Sequence, residues 1–364
     1  MTERLMTECR VLWHYISLFY FPASHRFSLL YDYPLSRSLF SPPSTFFSIL
    51  AWGILIFFAW FYRRKYRVFS WMIAWFLISH LIESTVLPLE IIFEHRMYLP
   101  TLGLAYGSVL ITYDFFRTRR IHPAIRVLIL LLLSVLLLSS TYIRNLDYRN
   151  AVTLYRSELN KFPHSKRILL NLSISLIRSG NFSEGGNILR KLSEKYSNDI
   201  IILQNFYNYL VFNEKNDDLA ERIYQNILTC IREGYYNSYT DANALEQLAI
   251  YFRETGKYER AIFLIDFLIA YFQQNSRLWY LKGHCFAGSG DWKSAADSFR
   301  RAADISPKDG EMIYWYGTSL VRSGETEEGC RILKKFVSSS DDKNLTEMAK
   351  KWLNTACVMS DIQE

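Results

Sequence analysis

The chain has 364 residues, half of them hydrophobic, and a formal net charge of +7. The first 143 residues hold 13 of the 42 Lys and Arg residues but only 7 of the 35 Asp and Glu residues, so nearly all of the excess positive charge lies there. Because these cations separate apolar runs and form no basic groove or recognition motif, the composition argues against nucleic-acid binding and favours a membrane protein.

The N-terminal segment, residues 1–44, begins with MTERLMTECR, whose acidic residues are not typical of a signal peptide. The next stretch, VLWHYISLFYF, is too short and too polar to span a bilayer and predicts an interfacial helix. The aromatic residues expected at headgroup level are Trp13, Tyr15, Phe19 and Tyr20. Asp32 precedes Pro34 and is predicted to be a turn residue rather than a catalytic acid.

Four apolar stretches are about long enough to cross a hydrocarbon core of ~30 Å. They cover residues 45–62, 69–87, 98–115 and 126–143. The third is diluted by Gly103 and Gly107, which permit close helix packing in membranes. The sequence therefore predicts a four-span transmembrane region over residues 45–143.

Two short basic loops predict the orientation of these spans. Residues 63–67 read RRKYR and residues 116–126 read FRTRRIHPAIR, and both are cytoplasmic by the positive-inside rule. Residues 1–44 and everything after Ile143 are then expected on the outer side of a bacterial inner membrane. An outward-facing start with no preceding span is also expected of the middle of a larger membrane protein.

A fixed period of 34 residues follows the last span and predicts tetratricopeptide repeats. Residues 276–309 fit one unit, with small residues where two helices touch and aromatic residues filling the gap between them. The matching residues are Trp279, Gly283, Phe286, Gly290, Ala295, Phe299, Ala302 and Pro307. The same phase covers residues 166–199, 200–234, 242–275 and 310–343.

Extending the phase backward makes the outer end of the last span the first helix of a unit over residues 132–165. No flexible linker is therefore expected between membrane and repeats. The predicted repeat domain is residues 144–343, followed by a cap helix and tail over 344–364. The five cysteines are scattered and predicted to be packing residues, with pairing of Cys285 and Cys330 left open.

Ionisable residues gather on the predicted outer face, where such groups at membrane depth are functional candidates. They are Glu83, Glu94, His95 and Arg96, the last three in the run EHRMYLP. These residues are predicted to hold the phosphate of a lipid-linked donor. The alternative is that Glu83, Glu94 and Arg96 pair with one another and fix helix ends. His80 is predicted to be a packed, hydrogen-bonded histidine. No catalytic residue and no metal site is predicted.

The order DYPLS, IES, EHRMYLP, a final span and repeats resembles the C-terminal half of the transmembrane-and-tetratricopeptide proteins, GT-C-type protein O-mannosyltransferases and their bacterial counterparts, over essentially the whole chain. The resemblance implies sugar transfer from a polyprenyl-phosphate donor to an acceptor protein outside the membrane. It implies that Glu94, His95 and Arg96 line the donor site. The family's catalytic acid lies in an N-terminal multispanning half, and no residue here matches it.

The predicted fold class is all-α, a four-span transmembrane helical region followed by a tetratricopeptide-repeat superhelix. Two functions are compatible with it. One is the C-terminal part of a lipid-phosphate-sugar-dependent glycosyltransferase, inactive alone, whose partners are the lipid donor, an acceptor protein and a separate N-terminal half. The other is a non-enzymatic membrane scaffold for protein partners. No cofactor is predicted for this chain, and a divalent metal in the separate half is left open.

Overall fold

The computed structural model describes residues 2–81, 90–236, 239–340 and 342–357. The described residues form helices joined by short connections, without a β-strand. The chain divides into two compact units, Met1–Ile188 and Leu189–Glu364. The boundary between the units falls inside a repeat helix, whereas the sequence predicts a domain boundary between residues 143 and 144.

The first unit contains the helices α1 (Thr2–Tyr20), α2 (Ser44–Phe61), α3 (Arg67–His80), α4 (Tyr98–Thr118), α5 (Pro123–Asp147), α6 (Ala151–Lys161) and α7 (Lys166–Arg178). The next helix, α8 (Phe182–Lys195), crosses the boundary at Ile188. Only residues 148–150 separate α5 from α6, and Asn150 caps α6 through its side chain. The last apolar helix therefore leads directly into the first repeat helix, as the repeat phase predicts.

Two helices of the described residues, α2 and α5, are long and apolar enough to cross a membrane. The apolar window of α5 has none of its residues buried, and Leu130, Leu136 and Leu138 are each more than 60% exposed. Exposure of so much apolar surface to water is unfavourable.

The sequence predicts four spans, but within the described residues only α2 and α5 are both long enough and apolar enough. The third predicted span corresponds to α4, which has 21 residues but is diluted by glycine, tyrosine and serine. The second corresponds to α3, described as 14 residues ending at His80, while the rest of the predicted span to Leu87 lies largely outside the described residues.

The N-terminal helix, predicted to be interfacial, packs on the core of the first unit. Tyr15 of α1 is fully buried in the core of the first unit, and its ring stacks on His80 at a centroid distance of 5.5 Å. Its hydroxyl accepts a hydrogen bond from the backbone N–H of Phe93 at 2.8 Å and donates one to the Phe93 carbonyl at 3.1 Å. Trp13 packs against Trp52 of α2. Tyr15 thus lies in a protein core, Trp13 and Phe19 pack against that core, and Tyr20 is exposed.

The second unit continues the antiparallel helix pairs with α9 (Ile200–Tyr209), α10 (Asp217–Arg232), α11 (Tyr239–Glu254), α12 (Tyr258–Tyr271), α13 (Ser276–Ser289), α14 (Trp292–Ile305), α15 (Gly310–Ser323), α16 (Thr326–Ser339) and α17 (Lys343–Trp352). The packing is that of a tetratricopeptide-repeat superhelix. Gly290 ends α13 with a positive φ of 86°, as the turn position of the repeat requires.

The disulfide in the structure is not the pair of Cys285 and Cys330 that the sequence leaves open. Cys330 of α16 forms a disulfide with Cys357, with 6.0 Å between their Cα atoms, whereas Cys285 is a free, buried thiol. The chain after α17 turns back against α16, and this brings Cys357 within bridging distance. The disulfide therefore ties the cap helix to the last repeat, an arrangement that residue spacing does not predict.

Candidate functional site

The sequence-predicted residue Glu94 lies in a short 3-10 helix, Glu94–Met97, directly before α4. Its carboxylate accepts hydrogen bonds from the Ser28 backbone N–H at 2.7 Å and from the Tyr31 hydroxyl at 2.9 Å. Burial raises the pKa of the Glu94 carboxyl, and the two hydrogen bonds act in the opposite direction. Glu94 thus holds the loop between α1 and α2 in place.

The other sequence-predicted residues have different surroundings. His95 is exposed, and its ring lies 4.7 Å from that of Phe93. Arg96 is only 8% exposed, and its guanidinium carbon lies 5.7 Å from the Phe93 ring centroid. Glu83 lies outside the described residues. Glu94, His95 and Arg96 therefore lie on one turn of the 3-10 helix, and of these three only His95 is exposed.

A second carboxylate, Glu158 of α6, is fully buried and was not singled out from the sequence. It accepts hydrogen bonds from the Ser28 hydroxyl, from the Leu29 backbone N–H at 3.0 Å, and from Arg144 and Lys161 at 3.1 and 2.8 Å. Burial alone would raise the pKa of the Glu158 carboxyl, but hydrogen bonds from Lys161, Ser28 and Arg144 outweigh it and lower the pKa.

Ser28 connects the two carboxylates, since its backbone binds Glu94 and its side chain binds Glu158. We call Ser28, Glu94, Arg144, Glu158 and Lys161 the Ser28 network. The spacing of Glu158 and Lys161 is a weak sequence signal, because such pairs are common on solvated helices. Ser28 and Glu158 are 130 positions apart, and no local pattern links them.

Two adjoining cavities lie beside the Ser28 network. One, of about 620 Å³, is apolar and is lined by Phe19, Phe21, Leu133, Leu136, Leu137 and Ile143, among others. The other, of about 520 Å³, has mainly polar residues in its lining, namely Ser24, His25, Asp147, Ser157, Asn160 and Lys161, together with Ile143. Ser24 and Ile143 belong to both linings. The pair has the amphipathic character of a lipid with a polar headgroup.

A different candidate lies in the second unit, where the first helices of three successive pairs present a row of side chains. We call this row the first-helix strip, and it comprises Glu246 of α11, Arg277, Tyr280 and His284 of α13, and Glu311 and Trp315 of α15. Arg277 forms an ion pair with Glu246 at 2.8 Å, and the Tyr280 hydroxyl donates to Glu311 at 2.6 Å. First helices line the concave binding face of such superhelices.

His284 lies at the centre of the first-helix strip. Its ring centroid is 4.5 Å from that of Tyr280, 4.6 Å from Trp315 and 5.1 Å from Phe299. Burial, with a contribution from the charge of Arg253, lowers the pKa of His284 to about 4. The imidazole is therefore neutral at pH 7. The rings of Tyr280 and Trp315 beside it are half-buried, the ring of Phe299 is fully buried, and together they form an aromatic cluster without charge.

A small cavity of about 70 Å³ adjoins one end of the first-helix strip, between α11, α12 and α13. It is lined by Asn243, Glu246, Leu268, Phe272, Asn275 and Leu278, among others. The lining combines apolar side chains with carboxylate and amide groups. It suits the binding of one side chain of a ligand whose backbone forms a hydrogen bond beside it.

Comparison with known proteins supports the repeat assignment. The tetratricopeptide-repeat family model matches residues 246–310, which include most of the first-helix strip. A curated relative is the TPR repeat-containing protein MJ1428 of Methanocaldococcus jannaschii, 25% identical over 238 residues. The match covers 54% of this chain and 41% of the relative, so the chain spans less than half the length of that protein.

Three solved structures show partial similarity to the chain. MamA 41-end of Desulfovibrio magneticus RS-1 is 17% identical, with a TM-score of 0.37, covering 49% of this chain and 97% of its own. The C-terminal part of a TPR repeat-containing protein of Cytophaga hutchinsonii is 12% identical, with a TM-score of 0.45, covering 57% and 82%. YrrB, a TPR protein with an unusual peptide-binding site, is 16% identical, with a TM-score of 0.42, covering 55% and 100%.

Proposed function

We propose that this chain is a membrane-attached tetratricopeptide-repeat protein whose repeats bind an extended segment of a partner protein. The first-helix strip is the observation that carries the proposal. It joins three half-buried rings of Tyr280, His284 and Trp315 with hydrogen-bonding groups of Arg277 and Glu311. An apolar anchor on the partner would pack on the rings, while the flanking polar groups bind its backbone.

The repeats are proposed to lie on the outer side of the membrane. The basic loops over residues 63–67 and 116–126 support this orientation, because cations near spans remain cytoplasmic. The disulfide between Cys330 and Cys357 also supports it, since such bonds persist in oxidising compartments.

Peptide display against the purified full chain tests the proposal. We expect enriched peptides to share an aromatic or aliphatic anchor, and Trp315→Ala to weaken their binding by roughly tenfold or more. Arg277→Gln, at an exposed position of the first-helix strip, is a second variant that leaves the core intact. Phe263→Ala changes an exposed ring of α12 and is the matched control. Equal losses in the control and in both strip variants, or no enrichment, would contradict the proposal.

A second candidate function is sugar transfer from a polyprenyl-phosphate donor to an acceptor protein, as the resemblance implies. The adjoining apolar and polar cavities of the first unit favour it, because they match the chain and headgroup of such a donor in polarity. Glu94, His95 and Arg96, which line neither cavity, are then proposed to bind the donor phosphate together with Glu83, which lies outside the described residues. A separate N-terminal half would supply the catalytic acid.

Consumption of a lipid-phosphate sugar by the chain together with such a half measures this activity. We expect Arg96→Ala and His95→Ala to lower turnover, and the exposed His95 tests the role without disturbing a buried group. If both variants retain full turnover, the donor-site role is wrong. If no turnover occurs while peptides still bind the first-helix strip, the protein is a scaffold.

A further inference from the structure

A further cavity of the first unit lies at the turn between α2 and α3. Its volume is about 660 Å³, and its lining includes Arg64, Lys65, Tyr66, Arg67, Ile111 and Asp114. Phe69 at the start of α3 and Ile111 of α4 provide apolar surface. We call this cavity the basic cleft. It shares no lining residue with the two cavities beside the Ser28 network.

The basic cleft carries three cations against one carboxylate, Asp114. Arg64, Lys65 and Arg67 are all exposed, and within the described residues none of the three forms an ion pair. An anion that entered the cleft would therefore meet cations whose charge is not already matched inside the protein.

The neighbouring residue Arg63 shows how this turn is organised. Its guanidinium lies 4.0 Å from the Trp60 ring centroid and donates to the Trp60 carbonyl at 2.8 Å, so Arg63 folds back along α2. Lys65 lies 5.3 Å from the ring of its neighbour Tyr66. The turn thus separates one cation that packs on the helix from three that line the cleft.

The position of the basic cleft on the chain indicates its depth in a bilayer. The residues of the cleft begin three positions after the end of α2, which is one of the two described helices apolar enough to cross a membrane. Exposed aromatic residues mark the end of that helix, namely Trp60, Phe61, Tyr62 and Tyr66. Tyrosine and tryptophan concentrate at the interface between hydrocarbon and water. The cations therefore lie at headgroup depth, with Phe69 and Ile111 closer to the hydrocarbon.

We propose that the basic cleft binds the headgroup of an anionic phospholipid from the cytoplasmic leaflet. Arginine forms two parallel hydrogen bonds to a phosphate, and Arg64 and Arg67 flank Lys65 on the same turn. Basic cavities between membrane helices on the cytoplasmic side suit such headgroups. The proposal rests on membrane attachment of the chain, but not on the function of the repeats.

Native mass spectrometry of the detergent-solubilised full chain measures the binding. The probes are phosphatidylglycerol and phosphatidylcholine with identical acyl chains. We expect the anionic lipid to bind about tenfold more tightly or better, and Arg64→Gln/Lys65→Gln/Arg67→Gln to remove most of that preference. Ile111→Trp keeps every charge but fills the cleft, and it should also lower binding of the anionic lipid.

The matched control is Arg117→Gln/Arg119→Gln/Arg120→Gln, which removes the same number of charges from the other basic loop. It should retain the preference for the anionic lipid. Equal losses in the two triple variants would mean diffuse attraction rather than a site, and an unchanged preference in the cleft variants would overturn the proposal. Flotation with phosphatidylcholine vesicles tests the premise of membrane attachment separately. A chain that does not float refutes membrane attachment itself.

Discussion

Glu158 links three separate segments of the first unit through one carboxylate. It binds the loop at Ser28, the end of α5 at Arg144, and Lys161 within its own helix. A buried carboxylate stabilises the fold only while it remains paired with the cations beside it.

Replacement of the Glu158 carboxylate by an amide tests its role. Glu158→Gln keeps the size of the side chain but leaves Arg144 and Lys161 opposite a neutral group. We expect a loss of about 3 kcal/mol in the free energy of unfolding of the first unit and faster proteolysis at the loop near Ser28. Glu90→Gln breaks the exposed ion pair with Arg167 and should cost less than about 1 kcal/mol. Similar losses in the two variants would contradict the structural role of Glu158.

His284 gives the second unit a defined dependence on pH. Its pKa falls from 6.5 to about 4 on folding, so the folded state disfavours the protonated ring. The stability associated with neutral His284 is fully present above pH 6.5 and is lost as the pH falls toward 4. We expect His284→Phe to make the melting temperature of the second unit less sensitive to pH in this window. The exposed residue His164 provides the control, since His164→Phe should leave that sensitivity unchanged.

Residues differ in how far sequence reasoning predicts their surroundings. His80 is buried, with its Nδ1 atom 2.9 Å from the Phe76 carbonyl oxygen, as predicted for a packed histidine. The contacts of Glu158 and Tyr15 were not predicted, because their partners lie far away in the sequence. An aromatic helix of the type of α1 suits a membrane interface and a protein core equally well, and only the contacts of Tyr15 with Phe93 distinguish them.

At the scale of helices, close approach decides where small residues occur. A Cβ atom added at Gly283 of α13 would lie 2.7 Å from the Phe299 ring of α14. The repeat pattern predicts this contact, because both residues occupy fixed positions of the unit. The same reasoning predicts the helix pairs from α11 to α16, since each repeat packs mainly on its neighbours.

Substitution at Gly283 therefore measures the packing of one pair. Gly283→Ala should lower the free energy of unfolding by about 1–3 kcal/mol through overpacking, despite the better helix propensity of alanine. Phe299→Leu in the Gly283→Ala background should recover part of that loss, since it removes the obstructing ring. Gly53→Ala, where no atom lies within 4 Å, is expected to be neutral or stabilising. Equal effects at Gly283 and Gly53 would disprove the close contact.

At the scale of the whole molecule, the sequence predicts the order of apolar helices and repeats better than their number or their cross-links. The repeat period and the apolarity of α2 and α5 are local properties of the chain. The disulfide of Cys330 with Cys357 depends instead on how α17 and the chain after it return to the last repeat. This covalent link also makes the predicted orientation testable, because it depends on the compartment that holds the repeats.

Counting thiols in the full chain tests that orientation. With the repeats outside, the disulfide forms, and alkylation of the denatured, unreduced chain should modify only Cys9, Cys230 and Cys285, the three free cysteines. Reduction should expose all five. Cys330→Ser should abolish the difference between the two conditions and, by releasing a loop of 27 positions, cost on the order of 3 kcal/mol in the stability of the cap. Five modified thiols without reduction would mean that the last repeat lies in a reducing compartment, and the predicted topology would then be wrong.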